Sequence, residues 1–480
     1  MQAKSRLFSA IFFITVVLQP CVAVDALPDF GGSEASVLSK EQEVQLGSLL
    51  VTQIRRSLPV LADPLITDYI QTLGNELVNH STMAGDHFRF FVIKDHLINA
   101  FALPGGNIVL HSGLILIARN ESELAAVMAH EIAHVTQRHI ARLFERSKQF
   151  SLPTLAALFG SILLATQNST AGAGALVATM GTAQQLAINF TRDNEQEADR
   201  VGIELLAASG LNPMGMPDFF GRMQQGNRYN ETNYPEFLRT HPVNQARIAD
   251  STARAERYPP YRGKENPAFM LMRNRIDVML SENIQATQLR YQHALEEHPL
   301  DDTTKYGYAL VLLRNNKFSS AANLTQQLLN KNPNEVAYHL LAADLDFASG
   351  AHNKALQRLN EQLLLHPHQH AIAMSYANLL LQTGDNKKAE SILGEQRYYN
   401  PEDPSLYELL TQAQSANGNA IAAHQSRAEY LALYGDLHGA IAQLDIALKQ
   451  SKGASYDTAR FKARRAELAQ LQKRQESSDW

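Results

Sequence analysis

The run Met-Ala-His-Glu-Ile-Ala-His-Val-Thr-Gln-Arg-His at 128–139 contains a five-residue pattern, His130-Glu131-Ile132-Ala133-His134. On an α-helix, positions i and i+4 share a face. His130 and His134 then point to one side and can bind one zinc ion, with Glu131 beside them to accept a proton from water. The surroundings predict the helix. Leu124, Val127, Met128, Ile132 and Val135 mark one apolar face of a segment from Glu121 to about Glu145. Glu121 and Glu123 suit its start.

A catalytic zinc takes three protein ligands and keeps one position open. The variant with a third histidine six residues on is excluded, because Gln137 and Ile140 stand where Gly and His are needed. His139 falls off the ligand face and is expected at the surface or behind a ligand. The third ligand should be a carboxylate from a later helix, and Glu195-Gln196-Glu197-Ala198-Asp199 offers a pair. Glu195 and Asp199 are four apart on one face. One can bind metal while the other hydrogen-bonds a ligand histidine and sets its tautomer.

Upstream, Lys40 to His80 reads as helical segments and Phe88 to Lys94 as a strand. Asn99 to Leu116 reads as a hairpin turning at Pro104-Gly105-Gly106-Asn107. The N-terminus has the pattern of an export signal: Lys4 and Arg6, an apolar run from Leu7 to Leu18, then small residues, with cleavage expected after Ala23. Cys21 is the single cysteine, and Gln19-Pro20 before it do not suit lipidation. Residues 151–188 carry no charge and are rich in Ala, Gly, Leu and Thr. They suit either a buried helical pair or an apolar flap that meets substrate or membrane; no run is long enough to span a bilayer.

Beyond Tyr258-Pro259-Pro260-Tyr261-Arg262-Gly263 the chain repeats. Pro299, Pro333, Pro367 and Pro401 recur every 34 residues, as do Ala309, Ala343 and Ala377, and Ala321, Ala355, Ala389 and Ala423. A 34-residue period of two helices with small contact residues and a closing proline is the tetratricopeptide pattern. His366, His368 and His370 are expected in a solvated inter-repeat loop, not in a metal site. The tail around Leu468 and Leu471 suits a capping helix. The net charge of −5 and 45% apolar content suit two cores and argue against nucleic acid as a partner.

The zinc pattern, the Glu195-to-Asp199 helix, Asn99-Ala100-Phe101-Ala102 with Gly105-Gly106, and Thr240-His241-Pro242 together resemble the gluzincin peptidases related to the CAAX prenyl endopeptidase. The export signal and repeats make the resemblance narrower, to periplasmic members of Gram-negative bacteria, over nearly the whole chain. It implies His130, His134 and Glu195 as ligands of one zinc per subunit, Glu131 as general base, and Asp199 behind the ligands. His241 would be a loop histidine able to take the fourth zinc position and regulate it. Arg247 would belong to the same element, as a second candidate beside His241 to donate to the oxyanion. The family often has an acidic residue before that arginine, and Ala246 stands there. The strand from Asn107 to His111 would be the edge on which an extended substrate pairs. Implied partners are the outer-membrane β-barrel assembly machinery and misassembled outer-membrane proteins, including the lipopolysaccharide export barrel, with peripheral membrane contact. The competing expectation is a chaperone or scaffold that works through its repeats.

The expected fold is mostly α: an N-terminal α+β zincin metalloprotease domain with a small sheet, then an α-solenoid of tetratricopeptide repeats. The expected divisions are a signal peptide at 1–23, the metalloprotease domain at 24–262, repeats at 263–450 and a capping helix or tail at 451–480.

Overall fold

The computed structural model describes residues 39–142, 192–228, 235–264, 266–451 and 456–477. The expected export segment with Cys21, residues 24–38 after it, and the uncharged run at 151–188 lie outside the described residues.

Helix α1 (Lys40–Ser57) starts with a reciprocal cap: the Ser39 hydroxyl accepts from Gln42 N–H, and the Gln42 side chain accepts from Ser39 N–H. Helix α2 (Pro64–Asn79) is capped by Asp63, with a proline in its first turn. Three short strands come next: β1 (Arg89–Ile93), β2 (Ala100–Leu103) and β3 (Asn107–His111). Their order is β1-β3-β2, with β3 parallel to β1 and antiparallel to β2. The turn between β2 and β3 uses Gly105 and Gly106 at φ 74° and 76°, where a Cβ would be strained.

The structure corrects two expectations in this region. The hairpin does not continue to Leu116: the strand stops at His111 and Ser112–Ile117 form helix α3. The Ser112 hydroxyl reaches both Ile93 O (2.8 Å) and Asp95 O (2.9 Å), which ties the chain at the sheet's end. Asn107 to His111 is also no edge, because both its sides are hydrogen-bonded to neighbours. The far side of β1 is partly covered by Pro59 to Leu61, through Leu61 N to Val92 O and Lys94 N to Pro59 O, each 2.8 Å. The open edge among the described residues is therefore β2.

Helix α4 (Glu121–Thr136) runs below the sheet, capped by Asn120. It ends well before Glu145. The break is at Arg138, a non-glycine residue at φ 51°, after which His139 to Arg142 resume helical geometry. Helices α5 (Arg192–Ala208), α6 (Gly215–Arg228), α7 (Glu236–Thr240) and α8 (Gln245–Ala255) complete this half. One sheet face packs Ile93, Leu103 and Val109 against Leu46, Leu50 and Ile54 of α1. The other packs Phe90, Val92, Ile108 and Leu110 into the core shared with α2 and α4.

Paired helices then stack. They are α9 (Pro267–Leu280), α10 (Ile284–Glu297), α11 (Asp302–Arg314), α12 (Phe318–Lys331), α13 (Val336–Ala348) and α14 (His352–Leu365). They continue as α15 (His370–Thr383), α16 (Asn386–Tyr399), α17 (Pro404–Ala416), α18 (Ala420–Leu433), α19 (Leu437–Gln450) and α20 (Tyr456–Ser477). The recurring prolines each come directly after a helix C-cap: His298, Asn332, His366 and Asn400. The recurring alanines are buried where helices meet. Among the described residues no helix is long and apolar enough to cross a membrane.

The repeats join the first half through a shared apolar core and through polar contacts. Asp68 of α2 accepts from Ala371 N–H (3.2 Å) and Gln369 Nε2 (3.1 Å) at the start of α15. Burial raises the Asp68 pKa to about 6. Glu402 meets Arg89 at 2.5 Å, and its carbonyl accepts from Arg55 at 2.9 Å. The solvated-loop expectation is corrected for His370: it is buried within the repeats, with Nε2 2.8 Å from Asp403 and Nδ1 3.2 Å from Gln396 Oε1.

Ala355 is fully buried. Ala355→Leu should therefore lower stability by about 1–3 kcal/mol through overpacking, read as an earlier denaturant midpoint at unchanged slope. An unchanged midpoint would show that the helices do not close at this position.

Candidate metal centre

All of α4 from Glu121 to His134 is buried, and His130 and His134 lie one turn apart on it. Helix α5 crosses this segment closely. A Cβ at Gly202 would stand 3.3 Å from His130 N and 2.7 Å from Met216 Cε, so glycine lets the two backbones approach. On α5, Glu195 and Asp199 are 2% and 1% exposed and meet the imidazoles. His241, the C-cap of α7, enters from a third direction.

The four groups converge. His130 Nε2 lies 3.0 Å from His134 Nε2 and 3.3 Å from His241 Nδ1. Glu195 oxygens lie 3.5 Å from each of the two Nε2 atoms and 3.0 Å from His241 Nδ1. One donor atom from each of the four residues falls within 4.8 Å of all the others. A four-coordinate ion with bonds of about 2.1 Å spaces its donors about 3.4 Å apart. The donor spacing and the nitrogen-rich donor set therefore fit a divalent metal.

The electrostatics point the same way. Burial alone would lower the His130 pKa, but Asp199 and Glu195 outweigh it and raise it to about 9. Burial, reinforced by His130, holds His134 well below the ordinary imidazole range. Glu195 is held well below the carboxylate range, since His241 and His130 overcome its desolvation. Burial pushes Glu131 up. Its Oε1 is buried without a hydrogen-bond partner, 3.4 Å from His241 Nε2. The Ala102 N–H of β2 hydrogen-bonds the same carboxylate.

Behind the donors, Asp199 Oδ1 lies 3.0 Å from His130 Nδ1. Arg247 donates from Nε and Nη2 to Asp199, both at 2.8 Å, and from Nη1 to Pro242 O at 2.9 Å; Nη1 also lies 2.8 Å from Glu195. Its guanidinium is thus committed to the two carboxylates, not presented to an oxyanion. His139 is buried behind His134, with their Nδ1 atoms 2.9 Å apart, and its Nε2 is 3.0 Å from Glu197 Oε2. Burial lowers the His139 pKa to about 4.

Sequence reasoning missed Glu197, Gly202 and Phe237. Gly202 lies seven residues after Glu195, on the same helix face, and this spacing was its available signal. Phe237 is fully buried, with ring centroids 5.1 Å from His241 and 6.5 Å from His130. Its N–H donates to Ile98 O at 3.0 Å, so α7 is tied to the residues leading into β2.

Residues 64–255 match the model of peptidase family M48, and residues 346–413 match a tetratricopeptide repeat model. The beta-barrel assembly-enhancing protease of Escherichia coli (strain K12) is 39% identical over 454 residues, covering 94% of this chain and 93% of that protein. That of Yersinia pestis is 37% identical over the same coverage. A mitochondrial metalloendopeptidase of Arabidopsis thaliana is 29% identical over 220 residues, covering 45% of this chain and 42% of that protein. A peptidase-family match over the metal centre and 37–39% identity over nearly the full length lead to one conclusion: the chain belongs to the family of the beta-barrel assembly-enhancing proteases, metalloproteases of peptidase family M48.

Proposed function

We propose that this metalloprotease is a zinc endopeptidase of the periplasm, holding one zinc through His130, His134 and Glu195. In this reading, His241 supplies a fourth, regulatory ligand. The observation that carries it is the convergence of four buried donors at a spacing suited to one tetrahedral ion. Zinc in such a site supplies Lewis acidity, which activates water and polarises an amide carbonyl.

The chain's own residues do the rest. Glu131 accepts the water proton and passes it to the leaving amine. The Ala102 N–H aims its carboxylate, and the unpartnered Oε1 is the oxygen that takes the proton. Asp199 keeps the His130 hydrogen on Nδ1, leaving Nε2 toward the metal. Arg247 offsets the charge of Glu195 and Asp199 and holds both in place. His241 fills the coordination space that a substrate carbonyl needs, so turnover requires α7 to move and the Phe237–Ile98 bond to break. The released histidine is then the candidate oxyanion donor. An extended substrate pairs along the open edge of β2 beside Glu131.

The named activity of the relatives, beta-barrel assembly enhancement, supports outer-membrane β-barrels as clients. Misassembled barrels, including the lipopolysaccharide export barrel, are degraded, and the repeats contact the barrel-assembly machinery. The export signal at 1–23 delivers the chain to the periplasm, the protease domain spans 24–262, and the repeats span 263–450 with a cap at 451–480. The closed position of His241 also favours a second reading, in which a largely latent enzyme acts mainly as a scaffold through its repeats.

Zinc content and casein cleavage of the mature chain test the enzyme reading. Wild type should hold one zinc. Glu131→Gln should keep it while kcat falls by about 10²–10⁴-fold. Zinc-free wild type after supplementation, or normal cleavage by Glu131→Gln, would overturn the reading.

His241→Ala should cleave casein faster than wild type while still binding zinc through the other three ligands. Slower cleavage with zinc retained would show that losing the oxyanion donor outweighs lifting the restraint, and would overturn the regulatory role of His241.

A further inference from the structure

We propose that His139 and Glu197 form a positioning relay behind His134, setting its tautomer and direction and thereby the tightness of the metal site. The inference rests on the zinc reading above and extends it to residues outside the ligand set.

The relay exists because the helix breaks. Five residues along a continuous helix would turn His139 about 140° away from His134. Arg138 instead adopts φ 51°, a conformation that L side chains rarely take. Its guanidinium is fastened to Glu43 of α1, with Nη2 at 2.6 Å and Nε at 3.1 Å. The chain swings back, and His139 lands against the rear of His134, with ring centroids 4.8 Å apart and planes nearly perpendicular. A left-handed residue beside a metal motif, held by a long-range ion pair, marks a site where geometry is kept at a local cost.

Hydrogen accounting leaves one arrangement. His134 turns Nε2 to the cluster, so its hydrogen is on Nδ1. That hydrogen is donated to His139 Nδ1 across 2.9 Å. His139 then carries its own hydrogen on Nε2 and donates it to Glu197 Oε2 across 3.0 Å. Arg142 Nη2 donates to the same oxygen at 2.7 Å. Both relay hydrogens meet an acceptor, and both imidazoles stay neutral in this arrangement. The two ligand histidines are thus backed differently. His130 has a carboxylate, Asp199, directly behind it, while His134 has a neutral imidazole with the carboxylate one step further out. Glu197 lies two residues from Glu195, on another side of α5, so one helix supplies both the ligand carboxylate and the relay's end.

The test is zinc affinity by competition with a chromogenic chelator, together with the visible spectrum of the cobalt-substituted full chain. Glu197→Gln and His139→Ala should each weaken zinc binding by about 10–100-fold and shift the cobalt bands. Glu197→Asp should recover part of the loss. Glu197 is partly exposed, so its variants guard against the chance that His139→Ala fails to fold. Arg142→Met removes the neighbouring ion pair without cutting the relay and should cost clearly less than Glu197→Gln. Zinc affinity in Glu197→Gln within about twofold of wild type would overturn the relay, as would an equal loss in Arg142→Met. Wild type that binds no zinc would instead fail the zinc reading, and the relay with it.

Discussion

The close crossing of α4 and α5 at Gly202 is the contact on which the metal centre depends. Two imidazoles from one helix and two carboxylates from the other meet only because no side chain separates the backbones. Burying four titratable groups is costly unless each is paired. Here the pairing is mutual: Asp199 sits behind His130, Glu195 lies among three imidazoles, and Arg247 compensates both carboxylates. A cation completes such a set, which would otherwise have to share protons among its members.

The same cluster is linked to the outer strand β2. Asn99 O accepts from His111 N–H, so the alternation of the antiparallel ladder turns Ile98, Ala100 and Ala102 outward. Ile98 O is taken by Phe237 N–H, Ala100 N–H by the Asn99 side chain, and Ala102 N–H by Glu131. The edge is thus occupied by the protein's own groups, one of them on the helix that carries His241. The Phe237–Ile98 bond therefore ties the helix that ends at His241 to the start of this edge.

The repeat half is not an appendage. Asp68 sits at the N-terminus of α15, and Glu402 bridges to Arg55 and Arg89 beneath the sheet. These polar contacts flank a continuous apolar core that includes Leu65, Ile66 and Ile70 of α2 and Phe269, Leu271 and Ile276 of α9. Arg275 adds a buried ion pair to Asp63, the cap of α2. The repeat array therefore grips the same two helices, α1 and α2, that support the sheet.

By itself the sequence determined the features that period and spacing impose. The i, i+4 histidines and the i, i+4 carboxylates had to share helix faces, and the 34-residue register of prolines and alanines had to build paired helices. Only the tertiary structure decided the features that depend on long-range approach. The central place of β3 comes from its parallel pairing with β1, which no local pattern encodes. His370 is buried because Gln396, Asn400 and Asp403, about 30 residues on, close over its ring, not because of its neighbours in the chain. His139 was off the ligand face for an unbroken helix, and it reached His134 because Glu43, 95 residues earlier, holds Arg138 in a left-handed conformation. Periodicity reports the geometry of one element, whereas a bend fastened from another element leaves no trace in it.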